Sequence, residues 1–243
     1  MLSKADIKFI NSLQNKKYRK IEHAFLVEGH KNVQEVLVSD YQVARVLCTA
    51  SYFQELNKNK QNAPIEIITE KELAQLGTLE TNHSALAVVK TKEIQIPEIE
   101  GLTIALDGIN DPGNLGTIIR IADWYGIRNI VCSNDTVDVY NPKVINATKG
   151  SFTRVNTFYT DLESYFQVNK NIPVLAACME GNSLYKLEQT FPCILLMGNE
   201  ANGINEILFN YVTNKISIPR IGAAESLNVG VATGIIVDRL LNV

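Results

Sequence analysis

Residues 226–234 read SLNVGVATG and run directly into the apolar IIVDRLL of residues 235–241, so they open the last helix of the chain. That helix carries Gly230 and Gly234 in its interior, where each glycine costs about 1 kcal/mol against alanine. Something must therefore approach the backbone closely. A tightly packed neighbouring helix, which Ala232 would also accommodate, explains the pattern, and so does a ligand. The stretch alone leaves both open, and segments upstream decide between them.

From Leu102 onward, apolar runs alternate with helical stretches: LTIALDG, NIVCS, VNTFY, PVLAAC, CILLMG and KISIP. Near-continuous apolar strands with helices between them predict a buried, mostly parallel sheet and an α/β fold. In such sheets ligands bind beyond the carboxyl ends of the strands. Three polar segments that carry glycine fall at those ends: DGINDPGNLGTIIR (107–120), GNEANG (198–203) and PRIGAAESLN (219–228). Neither G-x-G-x-x-G nor G-x-x-x-x-G-K-[ST] occurs, so a standard dinucleotide or P-loop cradle does not explain them, and an unrelated nucleotide enzyme lacks its phosphate loop.

The first part of the chain alternates on a smaller scale. A helix over 3–14, a strand at AFLVEG (24–29), a helix over 30–39, then QVARVLCT, SYFQELNKNK, IEIIT, EKELAQL and SALAVVK outline a small α/β unit over residues 1–90. KTKEIQIPEIE reads as a linker over 91–100, and 101–243 forms the second domain.

Composition narrows the classes. The 243 residues are 46% hydrophobic and 20% charged, as in a soluble globular protein, with no apolar run long enough for a membrane span and no secretory leader. A cytoplasmic protein is expected. Four cysteines without paired spacing and three histidines predict core thiols and no metal site. Net charge is −3, so any nucleic-acid contact must be local; the densest basic stretch is KKYRK, with Lys16, Lys17, Arg19 and Lys20 around Tyr18.

Taken together, the three strand-end segments resemble the signature of the SpoU, or TrmH-type, RNA ribose 2′-O-methyltransferases. The motif N-x-G-x-x-x-R falls on Asn114, Gly116 and Arg120; G-N-E-x-x-G on Gly198, Asn199, Glu200 and Gly203; S-L-N-V-x-x-A on Ser226 to Val229 and Ala232. The N-terminal FLVEGHKNVQEVL is similar to the family's substrate-binding domain, which resembles small ribosomal proteins.

The resemblance implies a C-terminal domain closed by a deep trefoil knot, in which Gly230, Ala232 and Gly234 let the last helix pack at the knot and dimer interface while Ser226 caps its start. It implies S-adenosyl-L-methionine as cofactor, held mostly by backbone groups at Leu196, Met197, Gly198, Asn199, Ile218, Leu227 and Asn228. Arg120 and Glu200 are the implied chemical groups, with Asn114, Ser226 and Asn228 as further polar candidates. Arg154, in NATKGSFTRV (146–155), would meet RNA phosphate. The implied protein is a homodimer, with Arg120 reaching the other subunit's cofactor pocket, that methylates large-subunit, 23S, ribosomal RNA. The rival readings are a transfer-RNA 2′-O-methyltransferase and a non-catalytic RNA-binding or ribosome-assembly factor. Two positions depart from the family pattern: TNHSALAVV stands where many relatives carry Pro-Gln-Gly, and Gly230 where serine is common.

Overall fold

All six apolar runs after Leu102 form strands of one sheet: β5 (Leu102–Leu106), β6 (Asn129–Cys132), β7 (Asn156–Tyr159), β8 (Val174–Ser183), β9 (Cys193–Met197) and β10 (Asn214–Ser217). The computed structural model describes residues 2–56, 63–79, 81–93, 95–188 and 191–242. The strand order is β10-β8-β9-β5-β6-β7, and every neighbouring pair is parallel. Every residue of β5 and β9 is buried, which accounts for their unbroken apolar sequences.

The order also locates the site. From β5 the chain steps outward through β6 and β7, then returns to build β8, β9 and β10 on the other side. The reversal lies between β5 and β9, and a crevice opens at such a switch point beyond the carboxyl ends. These two strands pair from Leu102↔Cys193 to Leu106↔Met197, and the Asp107 N–H continues the ladder to the Met197 carbonyl at 2.9 Å. The loops after β5 and β9 therefore leave the sheet side by side.

Helix α6 (Pro112–Trp124) starts where Asp111 accepts the Asn114 N–H at 2.8 Å and Pro112 takes the first turn, a favourable place for a residue without a donor. Helix α9 (Val229–Leu241) runs beside it. Asn114 meets Asn228, Thr117 faces Gly230, Ile121 faces Gly234 and the Tyr125 hydroxyl donates to Asp238, so the two helices ascend in the same direction. The cap of α9 is a correction to the sequence reading. Asn228, not Ser226, accepts the Gly230 and Val231 N–H groups, at 3.0 and 3.3 Å, and Ser226 is exposed ahead of the helix. Serine and asparagine cap equally well, so composition could not choose.

The N-terminal unit comprises Met1–Glu93 together with Asp138–Arg154. Its sheet has the order β1-β4-β2-β3, with β1 (Ala24–Glu28), β2 (Val43–Cys48), β3 (Ile65–Ile67) and β4 (Ala85–Lys90). Around it lie α1 (Lys4–Ser12), α2 (Lys16–Glu22), α3 (His30–Leu37), α4 (Ala50–Glu55) and α5 (Glu70–Leu73). The far part of the expected SYFQELNKNK helix, residues 57–60, lies outside the described residues.

Residues 138–154 fall within the expected 101–243 domain, yet they pack with this N-terminal unit. Helix α7 (Pro142–Thr148) and the turn after it place Ile145 and Phe152 in the core with Phe25, Val27 and Val46. Asp138 pairs with Arg19 and Arg154 with Glu35 in the same unit. Helical periodicity marks an apolar face without saying which core it fills. All four cysteines are free thiols; three are buried, and burial holds Cys193 up at about 12.

Candidate active site

The three strand-end segments meet through one side chain. The Asn114 amide nitrogen donates to the Glu200 carboxylate, and the Asn114 carbonyl accepts from Asn228 Nδ2 at 2.8 Å. A single asparagine thus ties the loop after β5, the loop after β9 and the cap of α9. Its place in the first turn of α6 is set by Asp111, so the helix start aims it.

Arg120 lies further along α6, exposed, and has no hydrogen-bond or ion-pair partner among the described residues. Its guanidinium is free to meet an anion. Trp124, four residues on and hence on the same helix face, is 82% exposed.

The loop after β9 is a closed turn. Asn199 and Gly203 exchange backbone hydrogen bonds at 2.9 Å, and Asn199 Oδ1 accepts from the Ala201 and Asn202 N–H groups. A β-carbon on Gly198 would stand 2.4 Å from the Gly203 carbonyl carbon, so the close approach that requires glycine here comes from the returning loop itself. Asn199 is correspondingly a shaping residue: its side chain and both its backbone polar groups are bound within the loop or to Gly108. The Leu196 and Met197 side chains are buried at the end of β9, and the Met197 carbonyl is taken by the Asp107 N–H at 2.9 Å.

The stretch after β10 has the complementary character. Ile218 is half-buried, Leu227 is 48% exposed, and their backbone N–H and C=O groups make no hydrogen bonds among the described residues. Unpaired backbone groups beside aliphatic surface fit the edges and faces of an adenine, so the chemistry of these residues suits the implied cofactor.

A separate cleft of ≈ 340 Å³ lies beyond β5, β6 and β7, lined by Asp107, Ser133, Asp135, Thr160, Asp161 and Asn205 among others. None of the residues nominated for S-adenosylmethionine lines it. Burial raises the Asp107 carboxyl above its ordinary value, the Asn205 N–H at 2.7 Å opposes that rise, and the charge of Asp135 adds to it.

In the N-terminal unit the basic stretch divides. Lys16, Lys17 and Lys20 are exposed on α2, but Arg19 is only 4% exposed, which corrects its assignment to RNA. Its guanidinium donates to the Leu13 and Gln14 carbonyls at 3.0 and 2.7 Å and binds Asp138 at 2.7 Å, so it is turned inward, away from any phosphate in solvent. Arg154 is half-exposed and holds Glu35 at 2.6 Å.

A profile of the SpoU rRNA Methylase family matches residues 101–238, the span that holds all three motifs. The chain belongs to the SpoU rRNA methylase family. A second profile, the MRM3-like substrate binding domain, matches residues 4–87 of this SpoU methylase. Its fold is similar to a putative RNA methyltransferase of the TrmH family from Porphyromonas gingivalis, 35% identical, with a TM-score of 0.92 over 100% of this chain and 99% of that one. An AdoMet-bound rRNA methyltransferase from Sinorhizobium meliloti is 25% identical, with a TM-score of 0.87 over 98% and 95%. In sequence the chain is 28% identical to the 23S rRNA (guanosine(2553)-2'-O)-methyltransferase RlmP of Bacillus subtilis over 245 residues, 96% of this chain and 95% of that one.

Ser133 and Asp135 were missed by sequence reasoning, although they line the same end of the sheet. SNDTVD follows a strand just as the three motifs do, but it lacks the glycine that drew attention to them.

Proposed function

We propose that this SpoU methylase transfers a methyl group from S-adenosylmethionine to the 2′-hydroxyl of a nucleotide in 23S ribosomal RNA. The observation that carries the reading is the Asn114 junction, which joins all three motif segments and leaves Arg120 free on the same helix. Similarity to RlmP along nearly the whole length of both chains supports ribosomal over transfer RNA as the target.

A ribose hydroxyl is a weak nucleophile at neutral pH and must lose its proton as it is methylated. Bound S-adenosylmethionine supplies an electrophilic methyl on a sulfonium. Arg120 does not act as the base, because a guanidinium has five N–H donors and no acceptor lone pair to offer. It grips the neighbouring phosphate and stabilises the charge that grows on the 2′-oxygen, an effect of about 3 kcal/mol for a well-placed donor. Glu200 accepts the proton, and the Asn114 amide keeps its carboxylate turned toward the junction. Leu196 to Gly198, Ile218, Leu227 and Asn228 hold the cofactor, with the chain after β9 threaded in the family's knot.

Lys16, Lys17 and Lys20 bind RNA phosphates, and Tyr18, 42% exposed with the Lys17 ammonium 5.9 Å from its ring centre, offers a face for a base. The protein works in the cytoplasm as a homodimer. Trp124 and Val231, 82% and 52% exposed on α6 and α9, are the apolar surface a second copy covers. A solution mass of twice 27.0 kDa is expected.

The deciding experiment incubates the protein with methyl-labelled S-adenosylmethionine and ribosomal RNA from a strain lacking its gene, then maps 2′-O-methylation. A single labelled 23S ribose is the expected result. Cofactor binding by calorimetry without transfer to any RNA would overturn the catalytic reading in favour of a binding factor.

A further inference from the structure

The segment after β6 belongs to none of the three motifs, yet it grips one of their loops. The Ser133 hydroxyl accepts the Gly108 backbone N–H at 2.8 Å and donates to Asp135 Oδ1 at 2.5 Å, with the Thr136 hydroxyl 3.0 Å away. A hydroxyl has one proton. With the carboxylate taking it in a charge-assisted bond, the oxygen lone pairs are left for the Gly108 N–H and Thr136.

Gly108 then reaches across to the loop after β9. Its carbonyl accepts from Asn199 Nδ2 at 2.5 Å. Its φ of +66° lies in the left-handed region, and a β-carbon there would stand 3.3 Å from Asp135 Oδ2 and 3.7 Å from Asn199 Cβ, so this peptide is wedged between the two residues. Asn199, anchored in this way, closes the turn in which Glu200 sits. The chain of bonds therefore runs from Asp135 through Ser133, Gly108 and Asn199 to the turn whose Glu200 meets Asn114.

We propose that Ser133 and Asp135 are positioning residues for methyl transfer, which through the Gly108 peptide and Asn199 hold the turn that presents Glu200. The proposal rests on the role given to Glu200 above. Ser133 fixes the N–H side of a peptide pair whose carbonyl side fixes Asn199. Loss of its hydroxyl leaves the Gly108 N–H unpaired in a buried place and frees the Gly108 carbonyl to turn away from Asn199.

The test uses the full chain with Ser133→Ala, Asp135→Asn and Ser133→Thr, and reads two things: amide hydrogen exchange across residues 198–204, and kcat and KM on 23S RNA. In Ser133→Ala, exchange in that turn rises about tenfold and kcat falls about tenfold, while KM for RNA stays within about twofold and Ser133→Thr restores both. Asp135→Asn, which keeps the acceptor but loses the charge, gives a smaller change in the same direction. Folded Ser133→Ala with turn exchange and kcat within about twofold of wild type overturns the proposal. Should Ser133→Ala fail to fold, wild-type exchange and kcat in Asp135→Asn overturn it equally. If turn exchange responds as described while the wild-type protein methylates no RNA, the brace stands and the role of Glu200 falls.

Discussion

Gly230 lies so close to Thr117 that a β-carbon added to the glycine would stand 2.9 Å from the threonine Cγ2 and 3.2 Å from Asn228 Oδ1. This contact answers why a helix-terminal segment carries a helix-weakening residue. Alanine at 230 gains about 1 kcal/mol of helix propensity but overpacks the α6–α9 seam at a cost of about 1–3 kcal/mol. Gly230→Ala is therefore expected to lower stability, and Thr117→Ala to relieve the strain. In denaturant unfolding of both singles and the double variant, the double should exceed the additive sum by about 1 kcal/mol. Additivity within about 0.5 kcal/mol would show that the seam has room.

The two faces of α2 separate stability from RNA binding. Arg19→Ala leaves the Asp138 carboxylate and two backbone carbonyls without their donor in a largely buried place, and should cost about 3–5 kcal/mol in an unfolding titration. Replacing Lys16, Lys17 and Lys20 by alanine should leave the melting temperature unchanged. In a salt titration of RNA affinity, the log–log slope should fall by about 0.7–0.9 for each lysine that meets a phosphate. An unchanged slope would remove α2 from the RNA-binding surface.

Asp107 gives a pH dependence of definite sign. Its carboxyl is raised, first by burial and then by Asp135, so the folded state holds the proton more tightly than the unfolded chain. Stability linked to this group is complete below the ordinary aspartate value of about 3.9 and is lost as pH rises through the raised value. Asparagine at 107 keeps an acceptor for the Asn205 N–H without the charge. Asp107→Asn should melt higher than wild type at pH 7, with the advantage vanishing as the pH falls to the ordinary aspartate value of about 3.9. A constant difference across that range would assign the effect to packing.

The legible parts of this protein are those where burial or chemistry leaves a local trace. Parallel strands covered on both faces show as unbroken apolar runs, as β5 and β9 do, and the flanking strands β6, β7, β8 and β10 were readable from shorter apolar stretches. Strand-end loops carrying glycine beside amides and carboxylates announced Asn114, Glu200 and Asn228, which the fold does bring together. What stayed hidden depends on partners distant in sequence. Arg19 looks like its neighbouring lysines until Asp138, 119 residues away, turns it inward. Residues 138–154 have an apolar face, but only the fold tells that Ile145 and Phe152 fill the core of the N-terminal unit. Ser133 works through a backbone N–H, and no side-chain motif records such a bond.

The junction at Asn114 separates the roles of the groups around it. Arg120→Ala removes a side chain that has no partner within the described residues, so stability and cofactor affinity should hold while kcat falls about 10²–10³-fold, the loss of roughly 3–4 kcal/mol of charge stabilisation. Glu200→Gln keeps an acceptor for the Asn114 amide but not the charge. Its kcat should fall and lose the acid-side dependence on pH that a carboxylate base imparts. Asn114→Asp goes further, setting two carboxylates against each other and removing the donor, so the junction to Glu200 should open and kcat should fall more steeply than in Glu200→Gln. These outcomes come from one set of rate–pH profiles on the same RNA. A Glu200→Gln enzyme whose profile matches wild type would leave the carboxylate a purely orienting role and require a different acceptor for the ribose proton.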